Sequence, residues 1–281
     1  MILALAIAAA APPSAVEQII ATERAFASDT ARLGGAYTFR EFVAADALAM
    51  LPDPKSGRLE VVSAKQRIDS RPKPPKPQPS DLRWWPAFAG ASAAGDLGFT
   101  TGPSIFPSRK AHGFIFTIWE RMPDGSWKFF FDGGPRIDGP SRFKPDDPIS
   151  IFTPARARAQ SPQTALRDVA TAEARIAVRA ATALVAAYAP FVTERTVLMG
   201  SGGQPAIGRE SAPAELRRRG RTIRFENLGA RAARWGDLVF TYGRALIDGS
   251  VQGGYARVWQ KTRAGWRLAV DQVQVPEKPP G

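Results

Sequence analysis

The sequence contains the stretch Gly95-Asp96-Leu97-Gly98-Phe99-Thr100-Thr101-Gly102, and a similar stretch returns as Gly236-Asp237-Leu238-Val239-Phe240-Thr241-Tyr242-Gly243. This repeat is the strongest indication of the fold. Downstream of each stretch further positions match in order, namely Trp119, Gly125, Trp127 and Asp132 in the first copy and Trp259, Gly265, Trp266 and Asp271 in the second. Self-similarity of this length indicates two copies of one structural unit.

Outside this pattern, each copy begins with apolar residues at helical spacing, and Glu23 and Glu173 hold equivalent places beside the apolar stripe. β-rich runs separated by Gly-Asp and Asp-Gly turns fill the rest of each copy. The first run of this meander is predicted as one strand over 85–92 in the first copy and 223–232 in the second. The predicted fold class is α+β, with N-terminal helices on one face of a curved antiparallel sheet.

The 281 residues suit two domains of roughly 120–140 residues, each with its own core. We predict a targeting segment at 1–13, a first domain at 14–138, a linker at 139–163, a second domain at 164–276 and a tail at 277–281. Residues 71–79 are an insertion of the first copy, rich in proline and basic, which predicts an exposed polyproline-type loop.

The strings GDLGFTTG…FTIWERMPDGSWKFFFDGG and GDLVFTYG…ARVWQKTRAGWRLAVDQ resemble SnoaL-like members of the nuclear-transport-factor-2-like superfamily. More narrowly, they resemble its exported bacterial members of unknown function. The resemblance covers nearly all of residues 15–135 and 163–276. It implies two cone-shaped α+β barrels, each with an apolar pocket open at one end, joined as an intramolecular pair that mimics the homodimer common in the superfamily. Relatives bind, isomerise or cyclise small molecules, or only dimerise, so the fold does not choose the function.

The N-terminal run from Met1 to Pro13 is apolar, but it is too short to span a bilayer. It resembles the apolar and cleavage regions of a secretory signal without the basic start. The sequence therefore predicts a periplasmic or secreted protein, with a buried N-terminal helix in a cytoplasmic protein as the alternative. No other segment is long and apolar enough to be a membrane span.

The net charge of +12 is concentrated in the second half of the chain. The densest cationic cluster there consists of Arg217, Arg218, Arg219, Arg221 and Arg224. These residues are either an anion clamp or the polar C-terminal end of a helix. No aromatic residues interleave with them, so no nucleic acid is expected as a partner.

Three pairs of carboxylates recur in the two copies. Asp96 and Asp237 lie in turns, where they cap the backbone, and Glu23 and Glu173 are expected to pair with an arginine. Asp132 and Asp271 end the last strand of each copy and either line a pocket mouth or terminate the sheet. With His112, the single histidine, they are the candidate catalytic bases. One histidine and no cysteine argue against a transition-metal site, and no cofactor motif is present.

Aromatic residues of the β-rich runs are the candidate pocket lining, namely Trp85, Phe114, Trp119, Tyr242, Tyr255 and Trp259. The prediction is a protein that binds a small apolar molecule without catalysis, or an interaction module. The first alternative is an isomerase or cyclase, which a buried carboxylate opposite a tyrosine or a protonated acid would favour. The second is an anion-binding module built on the arginine-rich second copy.

Overall fold

The computed structural model describes residues 12–53, 55–153, 159–200, 202–249 and 251–275. Residues 1–11 of the predicted targeting segment and the whole predicted tail lie outside these ranges, so export remains a prediction. Within the described ranges, no helix combines the length and the hydropathy needed to cross a bilayer.

The first copy contains three α-helices, one short 3-10 helix at Pro107–Arg109 and nine strands among its described residues. The helices are α1 (Ala15–Leu33), α2 (Gly35–Phe42) and α3 (Ala64–Asp69). The strands are β1 (Val43–Pro52), β2 (Leu59–Ser63), β3 (Arg83–Trp84), β4 (Phe88–Ala91), β5 (Leu97–Phe106), β6 (Ala111–Arg121), β7 (Trp127–Gly133), β8 (Arg136–Ile137) and β9 (Ser150–Phe152).

The second copy repeats the same plan with fewer elements. Its helices are α4 (Pro162–Ala180), α5 (Leu184–Tyr188) and α6 (Gly208–Arg219). Its strands are β10 (Val197–Met199), β11 (Ala206–Ile207), β12 (Ile223–Ala232), β13 (Leu238–Ile247), β14 (Val251–Thr262) and β15 (Gly265–Gln274).

Local sequence signals start the two long helices at equivalent places. Ser14 caps α1 in a reciprocal capping box with Glu17, and Ser161 caps α4 just before Pro162. The buried residues of α1 include Ile19, Glu23, Phe26 and Thr30, a spacing that turns one face of the helix toward the sheet. A glutamate on that buried face is exceptional, and it is the first indication of a polar site inside each copy.

The two sheets have the same strand order, which confirms the repeat at the level of topology. The first sheet runs β2-β1-β7-β6-β5-β4 and the second runs β11-β10-β15-β14-β13-β12, with β9 added beside β4 in the first. In each core sheet one pair is parallel, β1 with β7 and β10 with β15, and the remaining pairs are antiparallel. The predicted α+β class, with helices preceding a mainly antiparallel sheet, is confirmed.

Two local expectations need correction in the first copy. The run over 85–92 is not one strand, because Pro86 has no backbone N–H to give to a ladder, and the chain bends between β3 and β4. The bend brings the carbonyl oxygen of Trp85 so close to Gly102 that a Cβ atom there would lie 2.0 Å from it. The predicted linker is also not entirely irregular, since β9 lies within it and pairs in parallel with β4.

The sheets pack on each other through the faces that point away from the helices. Phe116, Phe131 and Phe240 belong to one hydrophobic cluster that both sheets share, and the rings of Phe131 and Phe240 lie 5.3 Å apart. Alternation along the strands sends neighbouring residues to opposite sides, so Trp119 packs among the α1 side chains while Ile118 joins the shared cluster. The intramolecular pair predicted from the repeat therefore has a continuous apolar interface.

The repeated Gly-Asp turns hold this pair together reciprocally. Asp96 Oδ2 accepts the backbone N–H of Arg234 at 2.8 Å, and Asp237 Oδ2 accepts that of Ala93 at 2.7 Å. Each turn thus satisfies a backbone donor of the other copy, as a pseudo-twofold relation requires.

Replacing Asp96 by alanine is expected to lower the free energy of unfolding by about 1–2 kcal/mol. The change removes the acceptor of the Arg234 amide and of the Ser92 hydroxyl, which donates to Asp96 Oδ1 at 2.7 Å. Urea denaturation measures the effect, with Asp146→Ala, an exposed aspartate, as the control. Equal stability of the two variants would contradict the structural role of the turn.

Candidate functional site

A buried glutamate of α1 is the centre of the polar site in the first copy. Glu23 is 1% exposed and accepts hydrogen bonds from three side chains. The indole N–H groups of Trp84 and Trp119 donate at 2.5 and 3.2 Å, and the hydroxyl of Thr100 donates to the same carboxylate. Trp119 also donates to Thr100 at 2.9 Å, which closes a triangle of Glu, Thr and Trp.

The second copy repeats this triangle. Glu173 of α4 accepts from the hydroxyl of Thr241 at 2.6 Å and from the indole N–H of Trp259 at 2.8 Å. All three residues lie at positions that correspond to the first copy, in the helix and in the second and third strands of the meander. The repeat therefore preserves a buried polar centre as well as an apolar core.

The charged groups around the buried glutamate differ between the two copies. In the second, the guanidinium of Arg257 donates to Glu173 and to Asp271 and has no solvent exposure. Its Nη2 donates to the hydroxyl of Tyr188 at 2.7 Å, and Arg219 from α6 binds the other oxygen of Asp271. Two buried arginines thus compensate the buried carboxylates.

The carboxylate of Asp271 stays charged in this setting. Burial alone would raise its pKa, but the guanidinium groups of Arg219 and Arg257 outweigh burial and bring the pKa of Asp271 below its ordinary value. Burial raises the pKa of the Tyr188 hydroxyl, which therefore stays protonated. Asp271 is fully committed to ion pairs and cannot accept a proton near neutral pH.

In the first copy Thr117 stands where the second copy has Arg257. Strand register establishes the equivalence, because Thr117 pairs with Thr100 and Asp132, and Arg257 pairs with Thr241 and Asp271. The hydroxyl of Thr117 donates to Asp132 at 3.2 Å but carries no charge. The six residues of α3 also offer no position equivalent to Arg219, the last residue of α6.

Glu23 and Asp132 are consequently left without a cation. Among the described residues, no lysine or arginine forms an ion pair with either of them. Burial, and then the charge of Glu23, raise the pKa of Asp132 to about 7, an effect that Thr117 offsets only in part. Burial also raises the pKa of Glu23 against the hydrogen bonds that it accepts. The two carboxylates thus share an acidic, poorly compensated site.

A cavity of about 240 Å³ opens beside Asp132. Its lining comprises Phe26, Phe39, Leu82, Trp84, Ser104, Phe114, Ile115, Asp132, Gly133 and Gly134. The rings of Phe39 and Trp84 lie 4.8 and 5.0 Å from that of Phe26 and form one aromatic wall. Asp132 is half-buried, so its carboxylate combines a low-polarity setting with access from the cavity. We call this space the Asp132 cavity.

The predicted pocket residues are distributed over three places. Phe114 lines the Asp132 cavity, whereas Trp119 is not part of its lining and donates a hydrogen bond to Glu23. Trp259 has the same role toward Glu173, and Tyr255 packs beside Arg257 in the filled centre of the second copy. Tyr242 stacks on Phe240 at the interface between the sheets. These residues do not share one pocket.

Trp84, rather than its neighbour Trp85, reaches the site. Trp84 borders the cavity and donates to Glu23, whereas the indole N–H of Trp85 is buried without a partner among the described residues. The bend at Pro86 sets which of the two rings faces the helix. The tandem tryptophans were visible in the sequence, but the phase of the strand around the bend was not.

The remaining candidates lie apart from the cavity. His112 is the second residue of β6 and is half-buried, paired with Ile105 and Ile137 in the neighbouring strands. Arg219 points into the core of the second copy, and Arg218 pairs with Glu215, while Arg217, Arg221 and Arg224 are exposed. The arginine cluster is therefore divided between core and surface rather than gathered around one anion site.

Other recesses offer less chemistry. A larger surface groove of about 440 Å³ lies between α4 and α5, but none of its lining residues carries a carboxylate. Across the described part of the chain, no group of three or more potential metal-binding side chains comes together. Unlike that groove, the Asp132 cavity joins an aromatic wall to a carboxylate with a raised pKa.

Several solved structures are similar to part of this chain. A protein of unknown function from the DUF3225 family of Pectobacterium atrosepticum is 21% identical, and the match covers 41% of this chain and 92% of that one with a TM-score of 0.34. An NTF-2-like protein of unknown function from Shewanella oneidensis is 13% identical, and the match covers 39% of this chain and 98% of that one with a TM-score of 0.33. A candidate dehydratase of the NTF2-like family from Streptomyces avermitilis is 12% identical, and the match covers 41% of this chain and 98% of that one with a TM-score of 0.34.

Two of these three structures are described as nuclear-transport-factor-2-like, the group that the motifs of this chain resemble, and each match spans less than half of this chain. No family model matches the chain, and no curated protein matches it. The role of the Asp132 cavity must be argued from its own residues.

Proposed function

We propose that this protein binds a small organic molecule, without catalysis, in the Asp132 cavity of the first copy, and that the second copy serves as a rigid partner. One observation carries the proposal: equivalent centres are open in one copy and filled in the other. The first keeps a half-buried carboxylate beside an aromatic wall, whereas Arg257 and Arg219 occupy the polar centre of the second. A concave space lined mainly by apolar side chains, with a few polar groups such as Asp132 and Ser104, is typical of a ligand site.

The composition of the lining favours binding over catalysis. Ser104 provides the one hydroxyl of the lining, and no tyrosine is part of it. An isomerase of the ketosteroid type needs a donor that stabilises an oxyanion opposite its base. Glu23, the neighbouring acid, uses its oxygens to accept from Trp84, Thr100 and Trp119, and it lies behind the wall rather than in the lining.

Proton transfer is the second candidate, because the pKa of Asp132 is raised to about 7. A carboxylate with this pKa can take up and release a proton at neutral pH. Asp132 would act as the base of an isomerase or cyclase, with the ligand held against Phe26 and Trp84. Asp271, its counterpart, is excluded from this role by its two ion pairs.

The anion-binding alternative has the least support, because Arg219 is consumed by ion pairs inside the second copy. The predicted domain limits, with the boundary in the segment 139–163, and the predicted export remain part of the proposal. An exported location suits a protein that collects a small molecule outside the cytoplasm.

Protein-observed NMR with a library of small aromatic fragments tests the binding function. Binding in the Asp132 cavity is expected to shift the backbone amides of Gly133 and Gly134, which line it. The amides of Gln272 and Val273, which follow Asp271 in the second copy, should stay unchanged and are the internal control. Fragments that shift only second-copy amides, or no amides at all, would refute the proposal.

A further inference from the structure

We propose that the Asp132 cavity binds an organic cation, a protonated amine or guanidinium group carried on a small apolar skeleton. This ligand class rests on the proposed function and makes it more specific. Its basis lies inside the chain, since the second copy holds a guanidinium between the equivalent carboxylates.

The second copy shows how the shared framework accommodates a positive charge. The guanidinium of Arg257 lies between Glu173 and Asp271. Its central carbon is 4.2 Å from the ring centroids of both Phe225 and Tyr255, a distance at which a cation interacts favourably with an aromatic face. The two carboxylates and the two aromatic rings around this guanidinium therefore form a cation site.

The first copy keeps both carboxylates and one of the two aromatic positions, since Ile115 stands where the second copy has Tyr255, and it lacks the cation. Trp84 takes the place of Phe225, because Trp84 pairs with Ser104 and Phe225 with Ala245 at equal distances after the Gly-Asp turns. The side chain of Thr117 ends at its γ atoms, so it lacks the δ-methylene and the guanidinium group of an arginine, and the cavity lies beside the carboxylate of Asp132. The aromatic wall of Phe26, Phe39 and Trp84 remains as a face for a positive charge.

Electrostatics separates the possible ligand classes at this site. A buried carboxylate without a compensating cation is costly even when it accepts hydrogen bonds, and a second one nearby increases the cost. A cation relieves that cost when it enters, whereas a neutral molecule of the same shape gains only apolar contact. An anion meets the charges of Asp132 and Glu23 and is repelled.

Matched pairs of probes test the ligand class by protein-observed NMR titration. The pairs are guanidinium with urea and benzylammonium with benzyl alcohol, added at millimolar concentration above the pKa of Asp132. We expect each cation to bind about tenfold or more tightly than its neutral partner, read from the amides of Gly133 and Gly134. Asp132→Asn should remove most of this preference, whereas Asp146→Asn, the same change at an exposed site, should preserve it.

A second variant rebuilds the filled centre in the first copy. Thr117→Arg places an arginine where the second copy has Arg257, and it is expected to abolish binding of all four probes. If this variant does not fold, the comparison of Asp132→Asn with Asp146→Asn still decides. Neutral probes that bind as tightly as their cations would overturn the cation class and leave the binding function standing. Failure of all four probes to shift Gly133 or Gly134 would refute both.

Discussion

Replacing Arg257 by methionine is expected to destabilise the protein by about 3–5 kcal/mol, the largest effect of any single change considered. The substitution leaves Glu173 and Asp271 buried with one guanidinium, that of Arg219, where two stood before. Methionine fills much of the volume of the arginine side chain, so the loss of stability measures the missing charge rather than the creation of a cavity. Against a typical total of about 5–15 kcal/mol, such a loss threatens folding at physiological temperature.

Equilibrium unfolding in urea measures this change. Arg244→Met is the matched control, because Arg244 forms ion pairs with Glu60 and Glu226 at the partly exposed surface. Exposed pairs are worth about 0–1 kcal/mol, so the control should remain close to the native protein. If both variants lose the same small amount, the arginine at the centre of the second copy is not essential to its stability.

Asp132→Asn is expected to have the opposite sign and to depend on pH. The pKa of Asp132 is raised to about 7 in the folded state, above the value of about 3.9 in an unfolded chain. A proton is therefore held more tightly by the folded protein, and stability is present below the unfolded pKa and lost as the pH rises through the folded one. The asparagine variant lacks this loss.

As the pH rises from about 4 to about 8, the free energy of unfolding of the variant should increase by about 2 kcal/mol relative to that of the native protein. This value is smaller than the full linkage effect because Asp132 retains solvent access. Urea denaturation of both proteins across this range measures the difference. Asp146→Asn should follow the native pH dependence throughout. A difference between Asp132→Asn and the native protein that stays constant with pH would show that Asp132 has an ordinary environment.

Much of the fold could be predicted from short-range patterns. The Gly-Asp turns, the capped amphipathic helices and the alternation along the strands are all local signals, and they recur in both copies. The departures had local causes too, since Pro86 interrupts the strand predicted over 85–92. Whether 139–163 contained a strand could not be predicted, because β9 depends on the edge that β4 offers.

The site was only partly predictable. Asp132 and Asp271 looked alike in the sequence, and what separates them is the residue opposite, Thr117 or Arg257. That difference can be read two residues before Trp119 and Trp259, once the register of the repeat is fixed. The contact of Arg219 with Asp271 spans two elements that are distant in sequence, and no local pattern indicates it.

Asp132 and Asp271 are equivalent carboxylates with opposite environments in the two copies. Carbon-13 NMR titration of the aspartate side-chain carboxyl groups tests this difference most directly. We predict a midpoint of about 7 for Asp132, while Asp271 remains ionised to a pH below the ordinary aspartate range. Both groups titrating together in the ordinary acidic range would contradict the account.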